Sequence, residues 1–189
     1  VGSQPFGGEG LSGTGPKAGG PHYLARFCRH EAPSPAGDWT WPMDDAALAE
    51  AVARAPRPER RETMTLPGPT GESNRLSVLP GAPALCAGPG PEAARRQAEA
   101  VRALGGIAVE AAGRVDPQAL TRLGELSCVL WWGDAETGRA MDQALAAREG
   151  PLVPLVTGLP DTGHVCAERH VCVDTTAAGG NAALLSGAA

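Results

Sequence analysis

Between residues 82 and 158 the chain alternates short apolar runs with stretches of helical period, and this alternation constrains the fold more than anything else in the sequence. Ala84 to Ala87, Ile107 to Ala111, Cys128 to Trp132 and Leu152 to Thr157 are short apolar runs that read as strands. Between them lie Glu92 to Leu104, with Ala94, Ala98, Val101 and Leu104 at helical spacing, Pro117 to Leu126 behind a capping Asp116, and Asp134 to Arg148. Strand–helix–strand order of this kind requires parallel pairing with crossovers, so helices must cover both faces of the sheet. The expected fold class is α/β, a Rossmann-like parallel sheet with helices on both faces. With aromatics at only 4% and hydrophobic residues at 42%, its core must be built from Ala, Val and Leu.

The flanks follow other rules. Residues 1–21 are rich in glycine and show no hydrophobic period, so they read as extended loop. A helix is expected from Asp44 or Asp45, carrying Leu48 and Val52 and ending before Pro56. Arg61 to Leu66 and Asn74 to Leu79 read as two strands joined by the turn formers Pro67-Gly68-Pro69-Thr70-Gly71-Glu72. Such a ribbon has one apolar face and is marginal alone, so it should lie on something. Val165 to Asp174 is β-prone but follows no crossover helix, and it is expected to leave the sheet and pair with the hairpin, making a β-flap from residues 60–79 and 165–174. Thr175 to Ala189 is small, apolar and uncharged.

Composition excludes several functions. A net charge of −5 argues against gripping nucleic acid phosphates. No apolar run is long enough for a transmembrane helix. The opening Val1-Gly2-Ser3 has neither initiator methionine nor signal peptide, and is expected to be the start of a piece cut from something longer. Five cysteines at 28, 86, 128, 166 and 172 form no dense framework and fit buried thiols in a reducing cytoplasm.

Two segments match the dinucleotide fingerprint. Gly8-x-Gly10-x-x-Gly13 lacks a preceding strand, and Pro16 stands where a helix should run. Gly88-Pro89-Gly90-Pro91-Glu92 follows a strand and opens a helix, with Glu110 placed as a ribose acceptor at the end of the next strand. Against NAD or NADP there, both prolines remove an N–H from the pyrophosphate, and Glu92 puts charge where phosphate would go. A cofactor site using Gly88, Gly90 and Glu110, or a structural turn, both remain open. His164, Cys166, His170 and Cys172 offer soft ligands, but one straight strand spreads them over about 27 Å, so no shared metal is expected. Trp131 and Trp132 should pack on opposite sheet faces. No nucleophile–base pair, paired carboxylates or phosphate loop stands out, so no catalytic residue is assigned.

Both ends carry a resemblance. Gln4-Pro5-Phe6-Gly7-Gly8-Glu9-Gly10-Leu11-Ser12-Gly13-Thr14-Gly15 resembles the end of the catalytic domain of aldehyde dehydrogenases, and Pro16-Lys17-Ala18-Gly19-Gly20-Pro21 narrows this to glutamate semialdehyde (pyrroline-5-carboxylate) dehydrogenases. Gly68 to Asn74, Ala146 to Gly150 and Thr175 to Ala182 resemble the C-terminal region of the proline utilization A family, bacterial flavoenzymes joining proline dehydrogenase to the semialdehyde dehydrogenase. The resemblance implies a division into residues 1–40, the end of a catalytic domain and loose in isolation; 41–174, a noncatalytic Rossmann-like domain with its flap; and 175–189, a tail. It implies that Phe6 packs against the aldehyde in an intact enzyme. It implies too that Thr175, Thr176, Gly179, Gly180, Asn181, Leu184 and Leu185 of the tail pack on the dehydrogenase domain and help close a passage for the intermediate. The implied parent uses FAD and NAD and is cytoplasmic, peripheral at the inner membrane, with the piece itself holding no cofactor. The implied partners are the dehydrogenase domain and, through the flap, a second copy.

Overall fold

Three-residue runs of small and branched apolar side chains can be buried on both faces only if helices cover each one, and the chain meets that condition. The computed structural model describes residues 4–8, 13, 15–28, 30–32, 37–56 and 62–174. The tail residues Thr175 to Leu185 singled out above therefore lie outside the described residues, as does Gly10 of the first glycine fingerprint.

Four parallel strands, β3 (Ala84–Cys86), β4 (Ala108–Glu110), β5 (Cys128–Leu130) and β6 (Leu155–Val156), stand in the order β4-β3-β5-β6. Helices α1 (Asp45–Arg54), α2 (Gly90–Ala103) and α3 (Ala135–Ala146) flank them. On one side Leu85, Val109 and Val129 pack with Leu48 and Val52 of α1 and Met141 and Leu145 of α3. On the other, Cys86, Cys128 and Leu130 pack with Ala93, Ala98 and Val101 of α2. Trp131 and Trp132 fall into these two opposite clusters, as their alternation requires. Their indole N–H groups donate to Asp134 O at 2.9 Å and Gly158 O at 2.8 Å.

Helix starts follow the capping residues. Asp44 and Asp134 accept from Ala47 N–H at 2.7 Å and Thr137 N–H at 2.8 Å. One expected element is different. Pro117 to Leu126 is not a full helix but a 3₁₀ helix, Pro117–Arg122, after which Leu123 turns extended. The Arg148 guanidinium explains the early stop, because it donates to the carbonyls of Leu120, Leu123 and Gly124 that a continuing helix would use internally.

The second sheet is the flap. Strands β1 (Glu62–Leu66), β2 (Glu72–Pro80) and β7 (Cys166–Asp174) are antiparallel in the order β1-β2-β7, with a short turn of helix α4 (Thr162–Val165) leading into β7. Met64 stands opposite Leu76, and Leu76 opposite His170. The late strand thus leaves the parallel sheet for the hairpin. Inner-facing Leu76 and Asn74 are fully buried while the alternate residues face water.

Candidate functional site

In an open parallel sheet, ligands settle outside the carboxyl ends of the strands where strand order reverses. Here that point lies between β3 and β5, and Gly88-Pro89-Gly90 is the turn beside it. The structure builds this turn inward. Gly88 N–H donates to Gln97 Oε1 at 3.0 Å, Gln97 Nε2 donates to Gly88 O at 2.7 Å, and Trp132 N–H donates to the same carbonyl at 2.9 Å. Gln97, fully buried on α2, therefore holds Gly88 by both of its peptide groups. The Gly88 amide that a phosphate would need is already committed.

The turn is also covered. Trp39 donates its indole N–H to Ala87 O at 2.9 Å. A Cβ on Gly90, whose φ is +75°, would lie 3.2 Å from the Asp38 backbone nitrogen, and one on Gly88 would lie 2.9 Å from Trp39 Nε1. Residues 37–39 thus sit on the turn at the start of α2, and both glycines permit that close approach. Glu110, the expected ribose acceptor, is engaged by Arg102 Nη2 at 2.9 Å.

The space left open nearby has the wrong sign for a dinucleotide. A crevice of about 440 Å³ is lined by Asp38, Pro89, Arg114, Trp131, Trp132 and Asp134. A neighbouring one of about 460 Å³ adds Asp116 and Glu136 around the same Arg114. Four carboxylates against one guanidinium disfavour pyrophosphate. The hydrogen bond from Thr137 N–H at the α3 cap keeps the Asp134 carboxyl below its ordinary pKa.

The other marked residues do not assemble into a centre. His164 Nδ1 accepts the Asp161 N–H at 3.0 Å in a capping box, Cys166 Sγ donates to Leu104 O at 3.5 Å, and Cys172 lies on the flap. Among the described residues no three His, Cys, Asp or Glu are placed to hold a metal. Burial pushes the Cys128 thiol up to about 12 and Cys86 further still, so neither supplies a thiolate. Phe6 is 74% exposed, its backbone bridged to Ala18.

A feature that short-range patterns cannot reveal is the seat of the opening segment. Glu168 of β7 accepts from Lys17 N–H at 2.7 Å and lies 2.6 Å from His22 Nδ1, with its side chain only 4% exposed. Gln4 Nε2 donates to Cys172 Sγ at 3.5 Å. Gln4, Lys17 and His22 therefore lie against the inner-row residues Glu168 and Cys172 of the flap, across about 150 positions of sequence.

Bifunctional protein PutA of Salmonella typhimurium is 34% identical to this chain over 236 aligned residues, covering 98% of the chain and 18% of that protein. The namesake from Escherichia coli K12 aligns with the same identity and coverage. The chain is proline utilization A-like. The PutA-like chain spans about 18% of the length of these curated relatives. A shorter match, 50% over 46 residues, relates 22% of it to 8% of the mitochondrial delta-1-pyrroline-5-carboxylate dehydrogenase of Bos taurus. No protein-family model matches the chain. No described helix of the PutA-like chain is long and apolar enough to cross a membrane.

Proposed function

We propose that the chain is a noncatalytic covering and association domain of a bifunctional enzyme that converts proline to glutamate using FAD and NAD. The observation that carries this reading is the closed turn at Gly88-Pro89-Gly90, whose Gly88 amide is held by Gln97 and whose outer side is covered by residues 37–39. A sheet of the dinucleotide-binding type whose ligand position is filled by its own chain serves as a scaffold. The proposal assigns residues 1–40 to the end of the semialdehyde dehydrogenase domain, 41–174 to the inert domain with its flap, and 175–189 to the tail.

In this reading Phe6, already exposed, packs against the aldehyde in the intact enzyme. Thr175, Thr176, Gly179, Gly180, Asn181, Leu184 and Leu185 lie against the dehydrogenase domain and close the passage for the intermediate, since small residues permit close backbone approach. The flap, with unpaired outer edges among the described residues, associates with that domain or with a second copy. The setting is cytoplasmic.

Deleting 175–189 from a full-length enzyme carrying this chain is expected to slow aldehyde oxidation or release the intermediate to a trapping reagent. Unchanged turnover with unchanged release overturns the covering role. Calorimetry of the chain with NAD and NADP is expected to be silent. Saturable micromolar binding lost on Glu110→Ala would instead restore a cofactor site built on Gly88, Gly90 and Glu110.

A further inference from the structure

The flap segregates its charges by face. Register places Glu62 beside Val78 and Glu168, and Glu72 beside Asp174, so all four flap carboxylates belong to the inner-face rows. The outer rows run Thr63–Ser77–Arg169 and Thr65–Arg75–Val171, with Ser73 beside Val173 and Leu79 beside Ala167. The outer face thus carries two diagonal arginines, hydroxyls and valines, and no carboxylate, on a chain whose net charge is −5. Val171 and Val173 are 43% and 47% exposed. Arginine with apolar and hydroxyl neighbours, and no Asp or Glu, is the composition of an interface rather than of a solvated sheet face.

The face also runs into a recess. A groove of about 700 Å³ at the base of the flap is lined by Leu79, Ala167, Arg169, Leu152 and Val153, and also by Glu125, Glu149 and Glu168. Leu152 is 65% exposed there. The cationic face meets this groove of mixed charge at Arg169.

We infer that the outer face of the flap docks an acidic polypeptide segment, whose carboxylates meet Arg75 and Arg169 and whose aliphatic side chains cover Val171 and Val173. The inference rests on reading the flap as an association device and adds the chemistry of the partner. A second copy presenting this same face is disfavoured, because arginines would meet arginines.

The test uses the 189-residue chain and a fluorescein-labelled nonapeptide of alternating Glu and Val, followed by anisotropy. Saturable binding is expected, about tenfold weaker in 300 mM than in 20 mM NaCl, and lost when Lys replaces Glu in the peptide. The R75E/R169E variant, with circular dichroism confirming its fold, is expected to lose binding. If that variant fails to fold, Arg169→Gln and the salt series decide alone. No saturable binding, or equal binding of the Lys peptide, overturns the inference. Light scattering keeps the two levels apart. A dimer that survives R75E/R169E while peptide binding is lost supports the inference and places self-association elsewhere on the flap. A dimer that the variant dissociates makes a second copy the occupant and overturns the acidic-segment assignment, while the flap's association role stands.

Discussion

Replacing Gln97 with leucine isolates the contribution of the lock on the strand-end turn. Leucine is close in volume and keeps the helix, so the change is confined to two hydrogen bonds. Gly88 O retains the Trp132 N–H at 2.9 Å, but Gly88 N–H loses its 3.0 Å partner in a site where both residues are buried. A buried donor left unsatisfied costs about 1–3 kcal/mol, and the second lost bond adds about 0.5–1.5 kcal/mol, offset in part by the transfer of a polar amide to an apolar side chain. The balance is about 2 kcal/mol, which for a chain of this length lowers Tm by about 4–8 °C. Urea unfolding followed by circular dichroism at 222 nm gives the free energy directly. Tryptophan fluorescence reports the turn itself, because Trp39 donates its indole N–H to Ala87 O and Trp132 its backbone N–H to Gly88 O. A Gln97→Leu chain within 0.5 kcal/mol of the parent, with unchanged fluorescence, would refute the idea that this amide pair holds the turn closed.

Three further outcomes follow from the same contacts. Gly90→Ala, at φ +75° and facing the Asp38 backbone, is expected to cost about 1–2 kcal/mol by urea unfolding and to make residues 37–39 accessible to protease. Burial alone would raise the Asp161 pKa, but the hydrogen bond and charge of His164 and the charge of Arg26 hold it below its ordinary 3.8. Because the folded value is the lower one, its stabilisation is present above the unfolded value and is lost as pH falls through the folded one. Asp161→Asn should therefore flatten the acid limb of the Tm profile below pH 5, and an unaltered limb would contradict this. With an aromatic disulfide reagent at pH 8, exposed Cys28 and Cys172 are expected to react in the native chain, whereas Cys86 and Cys128 react only on unfolding; early reaction of either buried thiol would contradict their assignment to the core.

The parallel sheet was readable because each strand's apolar run and each helix's period lie within a dozen residues. Even the departure of 166–174 to the hairpin followed from a missing crossover helix. The shortened 117–122 helix was not readable, since Arg148, which terminates it, is a surface-type residue whose carbonyl partners lie more than twenty positions away. Gln97 gave no signal either, because a polar residue between arginine and alanine on α2 looks solvated until the turn folds against it. The glycine fingerprint illustrates the same limit in reverse. Its spacing reports tight approach at Gly88 and Gly90, but only the structure shows Trp39 and Asp38 approaching there.

The wait between β2 and β7 has a consequence for synthesis. Pro80 pairs with Cys166, so after the hairpin is complete the ribosome must add 86 more residues before its third strand begins. At about 5–20 residues per second this leaves the ribbon two-stranded for roughly 4–17 s, with Leu76 still lacking the His170 that will stand opposite it. Lys17 and His22, already made, gain their Glu168 partner only after that interval.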